Sequence, residues 1–96
     1  MKFCFETKEL VDIYRSGSQK YPKEIVVAFT KRVNIIRRVK DERELRAIKG
    51  NHFEKLKGYQ NLYSIMLNDK YRMEFSIDKE SDKKVITIKR ISNHYS

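Results

Sequence analysis

The sequence has one cysteine, one proline, three glycines and no tryptophan. A lone Cys4 excludes an internal disulfide, and a reducing cytoplasm is the compartment that fits. With so little glycine there is no Walker loop, no dinucleotide-binding glycine motif and no nucleophile elbow, which sets aside the commonest nucleotide-handling and hydrolase signatures. Long apolar runs are absent too. Nothing at the N-terminus reads as a secretory signal, no stretch nears the length of a membrane span, and no membrane partner is expected. Two histidines and one cysteine do not make a structural zinc site, so neither a metal nor another cofactor is expected. Cys4 itself, inside Phe3-Cys4-Phe5, reads as a small core hydrophobe.

What is present is charge. Of 96 residues, 36% are charged and 40% hydrophobic, and the formal net charge is +9. The length suits one domain over 1–96 with a modest core, and the apolar content is too high and too patterned for disorder. Residues 31–60 hold ten Lys/Arg against four Asp/Glu, so the excess is concentrated in the middle third. Clustered cations attract phosphate backbones; the bland alternative is a solvated helix face, and charge alone does not separate the two.

Periodicity supplies the elements. Residues 2–6 read as a short strand. Thr7 caps a helix through about Ser16, with Leu10, Ile13 and Tyr14 on one face, and the polar run from Ser16 to Gln19 breaks it. Pro22 suits the first turn of a longer helix over 22–39, whose apolar stripe is Ile25, Phe29, Val33 and Ile36. Its other side carries Lys31, Arg32, Arg37, Arg38 and Lys40. Asp41 caps a third helix, with Glu44 reaching back and Leu45 and Ile48 facing inward, and Gly50 ends it. Residues 51–61 read as a basic loop. From Leu62 the period becomes two: a strand over Leu62–Leu67, a turn at Asn68-Asp69-Lys70, a strand over Tyr71–Ile77, a charged hairpin loop over Asp78–Lys83, and a strand over Lys84–Ile91. Tyr71, Met73, Phe75 and Ile77 point one way, and Arg72, Glu74 and Ser76 the other. The class is α+β, with an N-terminal strand and two to three helices packed on a mainly antiparallel, twisted four-stranded sheet.

The polar residues that fall near the sheet are Glu54, Lys55 and Lys57 before the first meander strand, Arg72 within the second, and His94-Tyr95 after the third. A carboxylate, an imidazole and several cations suit metal-free phosphoryl chemistry on RNA. A base activates the ribose 2′-hydroxyl, an acid protonates the departing 5′-oxygen, and cations stabilise charge on phosphate. By spacing alone the signal is weak, because each of these residues is as readily a solvated surface group.

Four blocks in order sharpen it: Phe53-Glu54-Lys55-Leu56-Lys57-Gly58, Tyr63-Ser64-Ile65, Tyr71-Arg72-Met73-Glu74-Phe75 and Ile91-Ser92-Asn93-His94-Tyr95. Together they resemble the RelE/ParE superfamily of toxins from type II toxin–antitoxin systems. The front half, with Lys49-Gly50-Asn51-His52-Phe53, looks like the HigB-type killer-protein branch. The resemblance implies a microbial-ribonuclease-like RelE fold and a ribosome-dependent mRNA endonuclease that inhibits translation, leaving 2′,3′-cyclic phosphate and 5′-hydroxyl ends. Carried over position by position, Glu54 falls where YoeB-like toxins place a general base and His94 where they place a general acid, beside Tyr95. Arg72 matches the arginine that holds the scissile phosphate and Lys57 the loop lysine that stabilises charge. Lys55, Lys49 and Arg90 are expected to contact RNA. HigB relatives often carry His in place of Glu54 and end in Tyr-His, which leaves the division of base and acid open; His52 is near enough to substitute, but reads first as a loop histidine with no role. The implied partners are a cognate antitoxin, the ribosome and its mRNA, and operator DNA only through the antitoxin complex.

Two other readings stand beside this one. ParE-type members share the fold and poison DNA gyrase without acid–base residues. A non-catalytic RNA-binding module would suit the charge and the tyrosines, yet has no use for a carboxylate such as Glu54 near a phosphate.

Overall fold

The structure, a computed structural model, describes residues 1–93. Its elements are β1 (Phe3–Phe5), α1 (Lys8–Ser16), α2 (Lys23–Arg38), α3 (Glu42–Ala47), a 3₁₀ turn at Lys49–Asn51, β2 (Glu54–Lys55), β3 (Leu62–Met66), β4 (Tyr71–Glu80) and β5 (Lys83–Asn93). They form an α+β fold in which three helices accompany one sheet of order β1-β5-β4-β3-β2. Among the described residues only the β1–β5 pair is parallel.

Local chemistry explains the helix ends. Thr7 is extended, and its hydroxyl accepts from the Leu10 N–H, which satisfies one of the first-turn donors of α1. Gly17 stops the helix at φ +83°, a left-handed value that costs a glycine nothing, and its N–H donates to the Ile13 carbonyl. Pro22 sits one position earlier than the first turn, as the cap of α2, where its carbonyl accepts from Ile25 and Val26. Asp41 caps α3 through the Glu44 N–H, as the spacing predicts. Glu44 reaches back to the Lys40 amide, one residue beyond the usual capping box. Gly50 does not end α3. The helix closes at Ala47, and Gly50 lies inside the following 3₁₀ turn.

The apolar stripe of α2 is buried as its spacing requires, with Ile25, Phe29, Val33 and Ile36 all at 0% exposure. It packs with Leu10 and Ile13 of α1 and Leu45 of α3 against one face of the sheet. That face is made of cross-strand pairs, Ile65 with Met73, Met73 with Ile91, Phe75 with Ile88 and Ile77 with Ile86. Such fully buried side chains contribute about 1.5–3 kcal/mol each.

The alternation in β5 carries a break. Register passes from Glu74–Arg90 to Phe75–Ile88, so Lys89 is an extra, bulged residue. The buried isoleucines 86, 88 and 91 depart from period two at that point, and the bulge returns Ile91 to the helix-covered face.

Four expectations are corrected. The sheet has five strands, because Glu54–Lys55 pairs with β3 inside the stretch expected to be loop. Two charged residues carry no apolar alternation, so periodicity does not mark them. The expected hairpin loop over 78–83 is mostly strand: pairing continues through Asp78–Val85, Lys79–Lys84 and Glu80–Lys83, leaving Ser81 and Asp82 as the turn. These arms are exposed on both faces, so charge is tolerated without alternation. Cys4 is exposed, not a core residue. It pairs with Thr87 on the face away from the helices, while Phe3 and Phe5 pack against the core. Arg32, expected on a solvated face, is half-buried and donates to the Met66 and Gly50 carbonyls at 3.1 and 3.3 Å, tying α2 to β3 and the 3₁₀ turn.

One ion pair links the layers. Glu42 of α3 meets Lys84 of β5 and Arg46 one turn on. The hydrogen bond from Lys84 holds the Glu42 carboxyl below its ordinary value, against the opposing effect of burial. A lowered folded-state pKa stabilises the fold above the unfolded-state value and loses that contribution as pH falls through the folded one. Glu42→Gln should therefore cost about 1 kcal/mol near neutral pH. In urea titrations the gap to the wild type should close in acid; a gap that widened on acidification would contradict this assignment. Deleting Lys89 should rotate the end of β5 and cost more than about 2 kcal/mol. Lys89→Ala removes only the pair with Glu6 and should cost at most about 1 kcal/mol. Equal costs for the two variants in the same titrations would show that the bulge is dispensable.

Candidate functional site

Because the helices cover one face, the residues out of phase with the core collect on the other. Register places Glu54 of β2, Ser64 of β3, Glu74 of β4 and Arg90 of β5 in one row across that open face. The neighbouring row is Met66, Arg72 and Ser92.

Arg72 lies back across β3 toward β2. Its Nε donates to the Ser64 hydroxyl at 2.7 Å and its Nη2 to the His52 carbonyl at 2.6 Å. The same Nη2 stands 3.6 Å from the Glu54 carboxylate, with Arg72 only 14% exposed and Glu54 56% exposed. Ser64 is fully buried beneath it. Further along the first row, Arg90 is exposed and pairs through Nε with Glu74 at 3.1 Å.

The segment bearing Glu54 is held from the helix side. Phe53 packs against Tyr63 and Phe75 at ring distances of 5.4 and 5.8 Å, and the Arg46 guanidinium of α3 lies 4.6 Å over its ring. With Phe53 anchored on that side, alternation turns Glu54 to the open face. Just upstream, His52 adopts left-handed backbone angles (φ 45°, ψ 56°). Asn51 is buried and donates to the Leu45 carbonyl.

The loop bearing Lys57 is closed at its base. The Leu56 N–H donates to the Leu62 carbonyl, and Asn61, at φ 61°, donates to Asp78, which also accepts from Ser76. Between these ties the stretch Lys55–Gln60 rims a shallow depression of about 520 Å³.

The structure thus brings Glu54, Arg72 and Arg90 onto one face. Lys57 is on the exposed loop beyond β2, and Lys49 is exposed in the 3₁₀ turn. Lys55 pairs with Tyr63, so it falls on the opposite phase from Glu54. His94 and Tyr95 lie outside the described residues; the last described pair of β5 is Tyr71–Asn93, next to Arg72–Ser92. Sequence reasoning missed Ser64, Glu74, Arg32 and Arg46 as neighbours of the site. Alternation in β3 carried little signal for Ser64, since it shares a phase with the apolar Leu62 and Met66. The arginine contacts come from elements far apart in the chain and leave no local pattern.

A carboxylate and an arginine meeting on an open sheet face, as Glu54 and Arg72 do, can bind a phosphate and move a proton beside it, while Arg90 stands three strands from Glu54 and is paired with Glu74. A family model described as HigB-like toxin, the RelE-like toxin of the type II toxin–antitoxin system HigB, matches residues 3–89. That span includes Glu54, Lys57 and Arg72 and stops before Arg90, His94 and Tyr95. Among solved structures, the fold resembles a YoeB/ParE toxin from Agrobacterium tumefaciens, with a TM-score of 0.62 and 17% identity over 99% of this chain and 100% of the other. At that identity the likeness concerns the fold. No curated protein sequence matches the chain.

Phe53→Ala should remove the anchor of β2 and cost about 2–3 kcal/mol. The loss should be local: hydrogen exchange at the Leu56 amide should accelerate more than at Phe75 in the central strand. Equal acceleration at both amides would show that Phe53 serves the whole core and not the placement of Glu54.

Proposed function

The chain belongs to the RelE-like HigB toxins of type II toxin–antitoxin systems, and from that premise we propose that it is a metal-independent endoribonuclease that cuts mRNA on the ribosome. The observation that carries the reading is the meeting of Glu54 and Arg72 on the open face at 3.6 Å. A carboxylate beside a phosphate-binding arginine weakens simple phosphate binding, so its place there is better explained by proton transfer than by affinity.

In the reaction so read, Arg72 holds the scissile phosphate. Glu54 takes the proton of the adjacent 2′-hydroxyl, and the 2′-oxygen bonds to phosphorus. The bond from phosphorus to the 5′-oxygen breaks, and His94 supplies the proton to the leaving oxygen. The products are a 2′,3′-cyclic phosphate and a 5′-hydroxyl. Lys57, on a loop closed at both ends, stabilises charge on the phosphate. Arg90 contacts a neighbouring phosphate on the same face, and Lys49 and Lys55 add attraction for RNA from the edge of the sheet. Tyr95 stacks on an unpaired base. The ribosome orders the RNA against these groups, which shortens the path to the reactive geometry.

Family membership implies an antitoxin partner. The ribosome and mRNA, and operator DNA through the toxin–antitoxin complex, complete the proposed set. Among the described residues no helix is long and apolar enough to cross a membrane; the proposed site of action is the cytoplasm, where translation runs.

The test is to express the chain under tight control and map 5′ ends on ribosome-bound mRNA. Wild type should give in-frame cuts at the A site. Glu54→Ala and His94→Ala should each reduce them by roughly 100-fold or more. Growth arrest without cuts would sink the nuclease reading and direct attention to gyrase, and undiminished cutting by either variant would remove that residue from its role.

A further inference from the structure

The contacts of Arg72 divide its guanidinium into two edges, and we propose that Ser64 and the His52 carbonyl form a positioning cradle. This cradle reserves the Nη1–Nη2 edge of Arg72 for phosphate. The proposal rests on the reading of the open face as an RNA-cleaving site, and it adds residues that hold no substrate themselves.

An arginine carries five N–H donors in a fixed plane, with two usable forks: the Nε–Nη2 side and the Nη1–Nη2 end. Here the protein occupies the side fork. Nε donates to Ser64 and Nη2 to the His52 carbonyl, at 2.7 and 2.6 Å. Among the described residues no hydrogen bond is made by Nη1, and the Glu54 carboxylate approaches from Nη2 at 3.6 Å. The end fork is the one that matches two phosphate oxygens, and it is left beside the carboxylate.

Both anchors are rigid. Ser64 is at 0% exposure in the middle of β3, paired on both sides, by Glu54 and Glu74. A hydroxyl buried so completely is costly without a partner, and the Arg72 Nε–H is its partner. His52 presents its carbonyl from a left-handed backbone (φ 45°, ψ 56°), a conformation uncommon for residues other than glycine and maintained only where surrounding contacts fix it. Those contacts are present: Arg32 holds the Gly50 carbonyl, Asn51 is buried on Leu45, and Phe53 is clamped by Arg46. With two bonds to such anchors, the guanidinium is held at two points and its rotation is restricted. A lone surface arginine would sample many rotamers and present either edge.

The experiment pairs a spectroscopic readout with kinetics. In the free wild-type chain the Arg72 Nε–H should exchange slowly in ¹⁵N-detected NMR. The signal should persist in Ser64→Thr, which keeps an acceptor hydroxyl, and should be lost in Ser64→Ala and in Ser64→Cys, which nearly conserves volume but offers a poor acceptor. In reconstituted translation, Ser64→Ala and Ser64→Cys should lower the cleavage rate at saturation by roughly 10- to 100-fold. The half-saturating ribosome concentration should stay within about twofold, and Ser64→Thr should restore most of the rate. A fast-exchanging Nε–H in the wild type would overturn the cradle. So would wild-type cleavage by a folded Ser64→Cys, or a Ser64 effect confined to ribosome affinity. A protected Nε–H in a wild type that cuts no mRNA would instead leave the cradle standing and overturn the nuclease reading.

Discussion

The helical layer can cover only one face of the sheet, and that constraint decides where every polar residue of the open face goes. Phe29, Val33 and Ile36 of α2 need an apolar surface to bury against, and the pairs built from Ile65, Met73, Phe75, Ile86, Ile88 and Ile91 provide it. A strand shifted by one residue would send that whole set to solvent, so the register is strongly specified. Once it is specified, Glu54, Ser64, Arg72, Glu74 and Arg90 have no other place to go. The bulge at Lys89 belongs to the same logic, since it lets β5 satisfy the core on both sides of an odd spacing.

The distribution of charge follows a second rule, that a cation near the site is either held or free. Arg32, Arg46 and Arg72 are all committed to contacts that fix backbone segments around β2 and β3. The exposed Lys49, Lys55, Lys57 and Arg90 lie around the same region and, among the described residues, enter no such network apart from the pair of Arg90 with Glu74. A net charge of +9 is thus not a uniform coat. Part of it is structural, and part is exposed charge that the proposed function assigns to RNA, acting over a distance set by screening.

Much of this was legible in the sequence, for physical reasons that differ by element. The stripe Ile25, Phe29, Val33 and Ile36 repeats at the helical period because one helix face is buried. The alternation from Tyr71 to Ile77 put Arg72 on the far face because a sheet has only two. Thr7 and Asp41 were readable as caps because their side chains bond locally. Glu54 and Arg72 were singled out by resemblance to a toxin superfamily, and their proximity became visible only with the pairing of β2, a strand too short to show a period. The hairpin arms from Asp78 to Lys83 were hidden for a related reason: with both faces wet, nothing in composition separates strand from loop. Cys4 was misplaced because its neighbours Phe3 and Phe5 face the core, and alternation on so short a strand sends the residue between them outward. The bonds of Arg32 and Arg46 join distant parts of the chain, and no local window contains them.

The short reach between Arg72 and its anchors has a thermodynamic consequence. A site that must reorganise before it can bind divides its intrinsic affinity by the fraction of molecules already in the competent state. On the proposed reading, the Nε–Nη2 edge of Arg72 is already satisfied inside the fold, and that cradle keeps the competent fraction high in the unliganded chain. The ordering entropy of a long, flexible side chain is then met when the chain folds, and the phosphate of the proposed substrate would meet a conformation it does not have to select.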